Sequence, residues 1–217
     1  MLLWGGRALF KPIDEKFFHK PTIDLAKELL GKILVKNTEE GVSAGRIVET
    51  EAYLGPDDRA AHSFGGKRTK RTEAMFHGPG TVYTYVMHTH CLVNVVSGGE
   101  GEPEAVLIRA VEPVEGLGLM YRRRGENKRL YDLTSGPGKL TKALGITPED
   151  YGRQFYGHPL FISEGDGDTF DISTGPRVGI DNSGEARDYP WRFWIKDNPF
   201  VSKPRKEVKV IKGFISS

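Results

Sequence analysis

The stretch Glu49-Thr50-Glu51-Ala52-Tyr53-Leu54-Gly55-Pro56-Asp57-Asp58-Arg59-Ala60-Ala61-His62 gathers carboxylates, a phenol and an imidazole within a short reach of chain. Residues 45–53 read as a strand whose alternation puts Ile47, Glu49, Glu51 and Tyr53 on one face. That strand delivers a carboxylate and an aromatic ring to a Gly-Pro turn. A carboxylate at such a rim can act as general base toward water, provided bulk solvent is excluded and the water is held near the reacting carbon. Taken locally, a strand-end carboxylate on a solvated face is the more ordinary reading of Glu51, because carboxylates are mostly exposed.

Other groups point to different chemistry. Lys67, Arg68, Lys70 and Arg71 share one loop with Gly, Thr and little else, a composition suited to touching phosphates without reading bases. An ordinary solvated loop explains it as well. Tyr121-Arg122-Arg123-Arg124 and residues 203–212 are further basic stretches that could extend that surface. Ser135-Gly136-Pro137-Gly138-Lys139-Leu140 lacks the leading Gly and terminal Ser or Thr of a phosphate loop, so a nucleoside triphosphate site is not expected. His88 and His90 would share a strand face, but no carboxylate or Cys partner adjoins them, and Asp166-Gly167-Asp168 lacks the remaining ligands of a calcium loop. Cys91, the one cysteine, allows neither an internal disulfide nor a cysteine-based zinc site.

The elements that must position these groups are mostly strands. Residues 21–31 carry cap, helical spacing and a terminating Gly, and residues 32–36, 45–53, 81–87, 91–97 and 104–111 read as successive strands, mainly antiparallel. Period two aligns Tyr83 with Tyr85, Leu92 with Asn94, and Leu107 with Arg109, and an Arg within an apolar strand needs a partner. Residues 114–124 and 140–144 suggest helices, Thr147 to Asp150 the start of another, and residues 177–180 and 191–195 strands, while 97–103 and 163–175 read as surface loops. The expected fold is α+β: a single compact domain over residues 12–213 after an extension of residues 1–11, with most strands together in a mainly antiparallel β-sheet flanked by helices. A net charge of +2, from 31 basic and 29 acidic residues, leaves nucleic-acid binding to the distribution of charge. Met1 to Phe10 lacks the pattern of a signal peptide, and no apolar run is long enough to span a bilayer, so a cytoplasmic location is expected.

Read in order, Val48 to Asp58, Ala60-Ala61-His62-Ser63, Met75-Phe76, Pro79-Gly80-Thr81-Val82-Tyr83, Leu107-Ile108-Arg109-Ala110-Val111-Glu112-Pro113, Ser135 to Leu140 and Pro176-Arg177-Val178-Gly179-Ile180 resemble the alkyladenine (3-methyladenine) DNA glycosylase family. The resemblance runs from the first helix to Val201-Ser202.

It implies a compact domain built on a curved, mainly antiparallel β-sheet, similar to the C-terminal domain of methionyl-tRNA formyltransferase, and a monofunctional glycosylase that flips an alkylated or deaminated purine from the duplex. Hydrolysis of the bond to deoxyribose would leave an abasic site, with no lyase step, metal or other cofactor. By position in the motifs, Glu51 resembles the general base and Arg109 its partner in holding water. Tyr53, His62 and Tyr85 resemble the pocket walls, and Asn94 the residue that disfavours guanine. The segment Val86-Met87-His88-Thr89-His90-Cys91 departs from the family by about one residue, leaving Met87 or His88 as the side chain that fills the gap in the stack. The implied partner is double-stranded DNA containing damaged purines, with no membrane, engaged by a monomer associated with the nucleoid when bound. A noncatalytic nucleic-acid-binding module is the competing reading, because fold alone does not fix activity.

Overall fold

Helix α1 spans Thr22–Glu28 and buries Thr22, Leu25 and Ala26, the spacing of one helical face. The computed structural model describes residues 10–202 and 208–215; most of the expected N-terminal extension and residues 203–207 of the basic stretch lie outside the described residues. Strands β1 (Ile33–Thr38) and β2 (Gly41–Tyr53) follow α1. Next come β3 (Val82–Met87), β4 (His90–Val96) and β5 (Ala105–Glu115). Helices α2 (Leu117–Arg124) and α3 (Pro137–Leu144) precede β6 (Leu160–Ser163), β7 (Thr169–Gly175), β8 (Arg192–Ile195) and β9 (Lys209–Ile215).

Among the described residues these strands form one antiparallel sheet in the order β3-β4-β5-β2-β8-β7-β9, with β1 bridging β2 and β6. Strand β2 is the hub. One edge pairs with β5 along nearly its whole length, whereas the other pairs first with β1 through Arg46 and then with β8 from Glu49. The register with β5 slips between Ile47 and Glu49, which interrupts the alternation expected there. Ile47 accordingly joins Val48 in the main core cluster rather than the face shared by Glu49 and Glu51.

Helices α1 and α3 pack on the sheet around that core, with Leu25, Leu29, Leu140 and Leu144 against Val93, Val95, Val106 and Ile108. Thr50 points to this side and donates to the Ala26 carbonyl at 2.7 Å. Glu49 and Glu51, its neighbours, therefore face the other side, over which the 55–79 segment folds. There a smaller cluster of Ala74, Met75, Phe76, Tyr83, Val96 and Ala105 closes the sheet.

Several elements differ from expectation. Strand β5 runs on to Glu115, and α2 starts only after Gly116, whose φ of 76° no L side chain readily adopts. A Cβ at Gly116 would also run into the Val42 carbonyl oxygen. Residues 163–175, expected as loop, hold the end of β6 and all of β7. Residues 177–180, expected as strand, form a loop with no ladder partner. Residues 147–150 make a short 3-10 turn capped by Thr147 and Asp150 rather than a full helix. Among the described residues no helix is long and apolar enough to cross a membrane.

Candidate active site

One face of β3, β4, β5 and β2 carries a cavity of about 350 Å³. The six residues aligned by period two, Tyr83, Tyr85, Leu92, Asn94, Leu107 and Arg109, all line it. Tyr53, His62 and Met75 complete the wall on one side, and the loop from Val178 to Ser183 closes the other.

Glu51 is completely buried and sits just behind this wall. Its Oε2 accepts from the Tyr53 hydroxyl at 2.8 Å and from Arg109 at 3.2 Å, and its Oε1 from the Val178 N–H at 2.7 Å. All three donors line the cavity. Burial, with Glu51 adding to it, raises the Tyr53 hydroxyl well above its usual pKa, so that Tyr53 remains a donor. Burial opposes the charge of Arg109, but Glu51 and Glu49 outweigh it and the guanidinium pKa is raised. The partner demanded by an Arg in an apolar strand is thus a pair of carboxylates.

The aromatic wall is ordered by a relay. The Arg71 guanidinium lies 3.2 Å from Nε2 of His62, and Nδ1 lies 2.8 Å from the Tyr83 hydroxyl. A guanidinium only donates, so Nε2 accepts and Nδ1–H donates to Tyr83. The His62 ring meets Tyr85 edge-on at 4.5 Å between centroids, and Arg71 stacks over Tyr85 at 5.1 Å. Asn94 is held by a 3.0 Å bond from its Nδ2 to the Tyr83 carbonyl.

Burial of the His62 ring, aided by the Arg71 cation, lowers its pKa from 6.5 to about 4. A depressed imidazole pKa favours the folded state fully above 6.5, and that contribution fades as pH falls toward 4. Solvent at the exposed edge of the residue screens part of it. The expected result is an imidazole NMR titration with its midpoint near pH 4. A midpoint at the ordinary histidine value would show that the Arg71–His62–Tyr83 relay does not form.

Two buried carboxylates, Asp58 and Glu49, brace the site through ion pairs, and local sequence pattern did not reveal the partners of either. Arg177 is fully buried, grips Asp58 with both terminal nitrogens and donates to the Ala52 carbonyl at 2.8 Å. Its guanidinium lies between the rings of Tyr53 and Trp191, at 4.6 and 5.0 Å. Asp58 also accepts from the N–H groups of Leu54 and Ala60, tying the start of the 55–79 segment to the Val178 loop. Glu49, likewise buried, takes Nε of Arg109, Nε of Arg192 and the hydroxyl of Ser202 on Oε1, each at 2.8 Å, and the Ser202 N–H on Oε2. Asp58 and Arg177 lay within quoted motifs and Ser202 at the end of the resemblance, with no partner indicated for any of them; Arg192 was not singled out.

Of the expected site residues, the structure brings Glu51, Arg109, Tyr53, His62, Tyr85 and Asn94 to one cavity, with Met87 at its lining and Arg71 behind His62. Lys67, Lys70 and His88 are exposed and off the lining, and Arg68 is paired with Glu73 at 2.6 Å. Arg123 and Arg124 turn inward, Arg123 to Glu40, Ser43 and Thr38, and Arg124 to the Leu133 carbonyl, so they add little to a basic surface. Asp166 and Asp168 both bind Arg46, and no group of three or more His, Cys, Asp or Glu among the described residues is placed to hold a metal.

A slot walled by flat rings, with a braced carboxylate behind it, is suited to seizing a planar heterocycle and bringing water to an adjoining bond. Residues 16–199 match the family described as methylpurine-DNA glycosylase (MPG). A Bacillus licheniformis protein is 64% identical over 193 residues, spanning 89% of this chain and 97% of its own. A Bacillus subtilis protein is 60% identical over 193 residues (88% and 97%), and one from Listeria monocytogenes 47% over 195 (89% and 94%). All three carry the name "Putative 3-methyladenine DNA glycosylase". The chain belongs to the methylpurine-DNA glycosylase family, and so to the DNA glycosylases of base repair.

Proposed function

We propose that this chain excises damaged purines, alkylated ones such as 3-methyladenine and 7-methylguanine together with hypoxanthine and ethenoadenine, through water activated by Glu51. The observation that carries the reading is the completely buried Glu51, bound to Arg109 and Tyr53 directly behind an aromatic cavity. A base inside a duplex is out of reach of such a cavity, so the nucleotide must leave the stack, which costs least at a damaged or mispaired site. The rings of Tyr53, Tyr85 and His62 then hold the extruded purine, more strongly where alkylation has made it cationic. Asn94 on the wall restricts the guanine edge.

A water reaches Glu51 by replacing the longest of its three bonds, the 3.2 Å contact from Arg109, and Arg109 turns from carboxylate to water. Glu51 takes the proton as the water attacks the anomeric carbon from the face opposite the departing base, as in an inverting glycosidase. Cationic bases leave unaided; hypoxanthine leaves with a proton. Among the described residues no lysine lines the cavity, which supports water rather than an amine as nucleophile and hence a monofunctional enzyme. Met87 lines the cavity mouth, whereas His88 sits in the turn at φ 56°, which favours Met87 as the wedge that replaces the flipped base. Lys67 and Lys70 contact phosphates, and a monomer engages one lesion of the nucleoid at a time, without cofactor.

Tyr85→Ala is expected to weaken capture of a lesion-containing duplex by ~1–3 kcal/mol, the usual worth of one stacked base, measured by anisotropy with an uncleaved lesion analogue. Unchanged affinity would remove Tyr85 from the pocket wall.

The deciding experiment incubates purified protein, with no added metal, with end-labelled duplexes containing hypoxanthine or ethenoadenine and with methylated genomic DNA. Released bases are scored directly and abasic sites by alkaline cleavage. Release of free base supports the reading. The exposed Lys67 and Lys70 also suit a noncatalytic binding module of formyltransferase-like fold; tight binding to undamaged DNA or RNA with no release from any substrate would establish that instead.

A further inference from the structure

We infer that Glu49 is a positioning residue for excision: it holds Arg109 in place while Arg109 exchanges Glu51 for water. This rests on the assignment of Glu51 as the base. Arg109 has two carboxylate partners of unequal closeness, Glu49 through Nε at 2.8 Å and Glu51 through a terminal nitrogen at 3.2 Å. Only the second needs to open for water to enter. Glu49 itself cannot swing away, because the hydroxyl and N–H of Ser202 and Nε of Arg192 hold both of its oxygens. Arg192 is in turn tied to the Ser202 carbonyl at 2.9 Å and stacked over Trp194 at 4.8 Å.

Charge gives Glu49 a second effect on the same atoms. The buried group holds two carboxylates, Glu49 and Glu51, against two guanidinium ions, Arg109 and Arg192. Glutamine at position 49 leaves Arg109 with Glu51 as its one carboxylate partner. Arg109 is then drawn onto Glu51 and gives way to water less readily. The other groups around Glu51 are the Tyr53 hydroxyl and Val178 N–H, which touch it, Tyr85, which senses its charge, and Arg177 beyond the Tyr53 ring. None of these is hydrogen-bonded to Glu49, whereas Arg109 is hydrogen-bonded to both carboxylates and so links Glu49 to Glu51.

The plain alternative is that Glu49 only neutralises Arg192 and keeps the fold together. Two variants separate the readings: Glu49→Gln keeps shape and loses charge, and Glu49→Asp keeps charge but no longer reaches Arg109. Both are measured beside wild type for single-turnover release of hypoxanthine, for affinity to an uncleaved lesion duplex, and for Tm. Glu49→Gln is expected to slow release by about 10- to 100-fold, by analogy with the outer partners that orient metal ligands. Its lesion affinity stays at the wild-type value, so the loss falls on the release step alone. Glu49→Asp is expected to slow release likewise at unchanged affinity, and it carries the test if Glu49→Gln does not fold. Wild-type release by either variant, or slowing that is matched by an equal loss of lesion affinity, overturns the inference. Absence of release by wild type fails the glycosylase reading itself.

Discussion

Glu51→Gln is expected to bind a hypoxanthine duplex as wild type does while releasing base about 100- to 10,000-fold more slowly, the span usually lost with a positioned general base. The side chains match in shape, so the aromatic walls of Tyr85 and His62 should keep their places. The chemistry differs at each contact. Glu51 accepts from Tyr53 and Arg109 on one oxygen and from Val178 on the other, and all three groups donate. An amide presents an oxygen that accepts and an NH₂ that donates; the Tyr53 hydroxyl can turn to accept, but the NH₂ must still oppose either the Val178 N–H or the Arg109 guanidinium. The variant therefore loses proton acceptance and also mis-seats one donor. Single-turnover base release beside equilibrium anisotropy reads both quantities on one substrate. Release near the wild-type rate would place the base elsewhere.

The second large effect falls on stability. Arg177→Met is expected to destabilise the fold by about 3–5 kcal/mol, because it strands the buried Asp58 carboxylate without its cation. For a chain of this size that corresponds to a fall in Tm of roughly 6–20 °C by calorimetry. The same change frees the Val178 loop and removes the cation between Tyr53 and Trp191, so base release should fall as well. Adding Asp58→Asn to Arg177→Met should recover part of the Tm, since the uncompensated charge is gone. An Arg177→Met protein that melts with wild type would mean that the Asp58 pair contributes nothing to holding the loop.

What could be read from the sequence was what local periodicity encodes. Alternation sufficed to align Tyr83 with Tyr85, Leu92 with Asn94 and Leu107 with Arg109, because consecutive antiparallel strands keep one face toward one cavity. It failed at Ile47, where the slip against β5 breaks the period. It failed again at residues 163–175, where Gly165-Asp166-Gly167-Asp168 dominates the window and hides a half-polar β7. Residues 177–180 look strand-like from Val178 and Ile180, yet the Val178 N–H is spent on a carboxylate side chain rather than on a ladder. Glu49 with Arg192 and Ser202, and Asp58 with Arg177, were invisible for a common reason: each joins segments far apart in the chain, and no spacing rule links them.

That remoteness sets the order in which the site can come into being. Val178 lies 127 residues beyond the carboxylate it binds, and Ser202 lies 153 beyond Glu49. During synthesis β2 emerges first, with both carboxylates awaiting donors made 127 and 153 residues later. Closing such long intervals is slow, so these contacts are expected to form after the central hairpins. A half-made chain can thus present its basic loop and aromatic rings, but it has no Val178 N–H to seat Glu51 and no Ser202 to seat Glu49. On the proposed mechanism, base excision therefore waits until the residues as far as Ser202 have left the ribosome and folded.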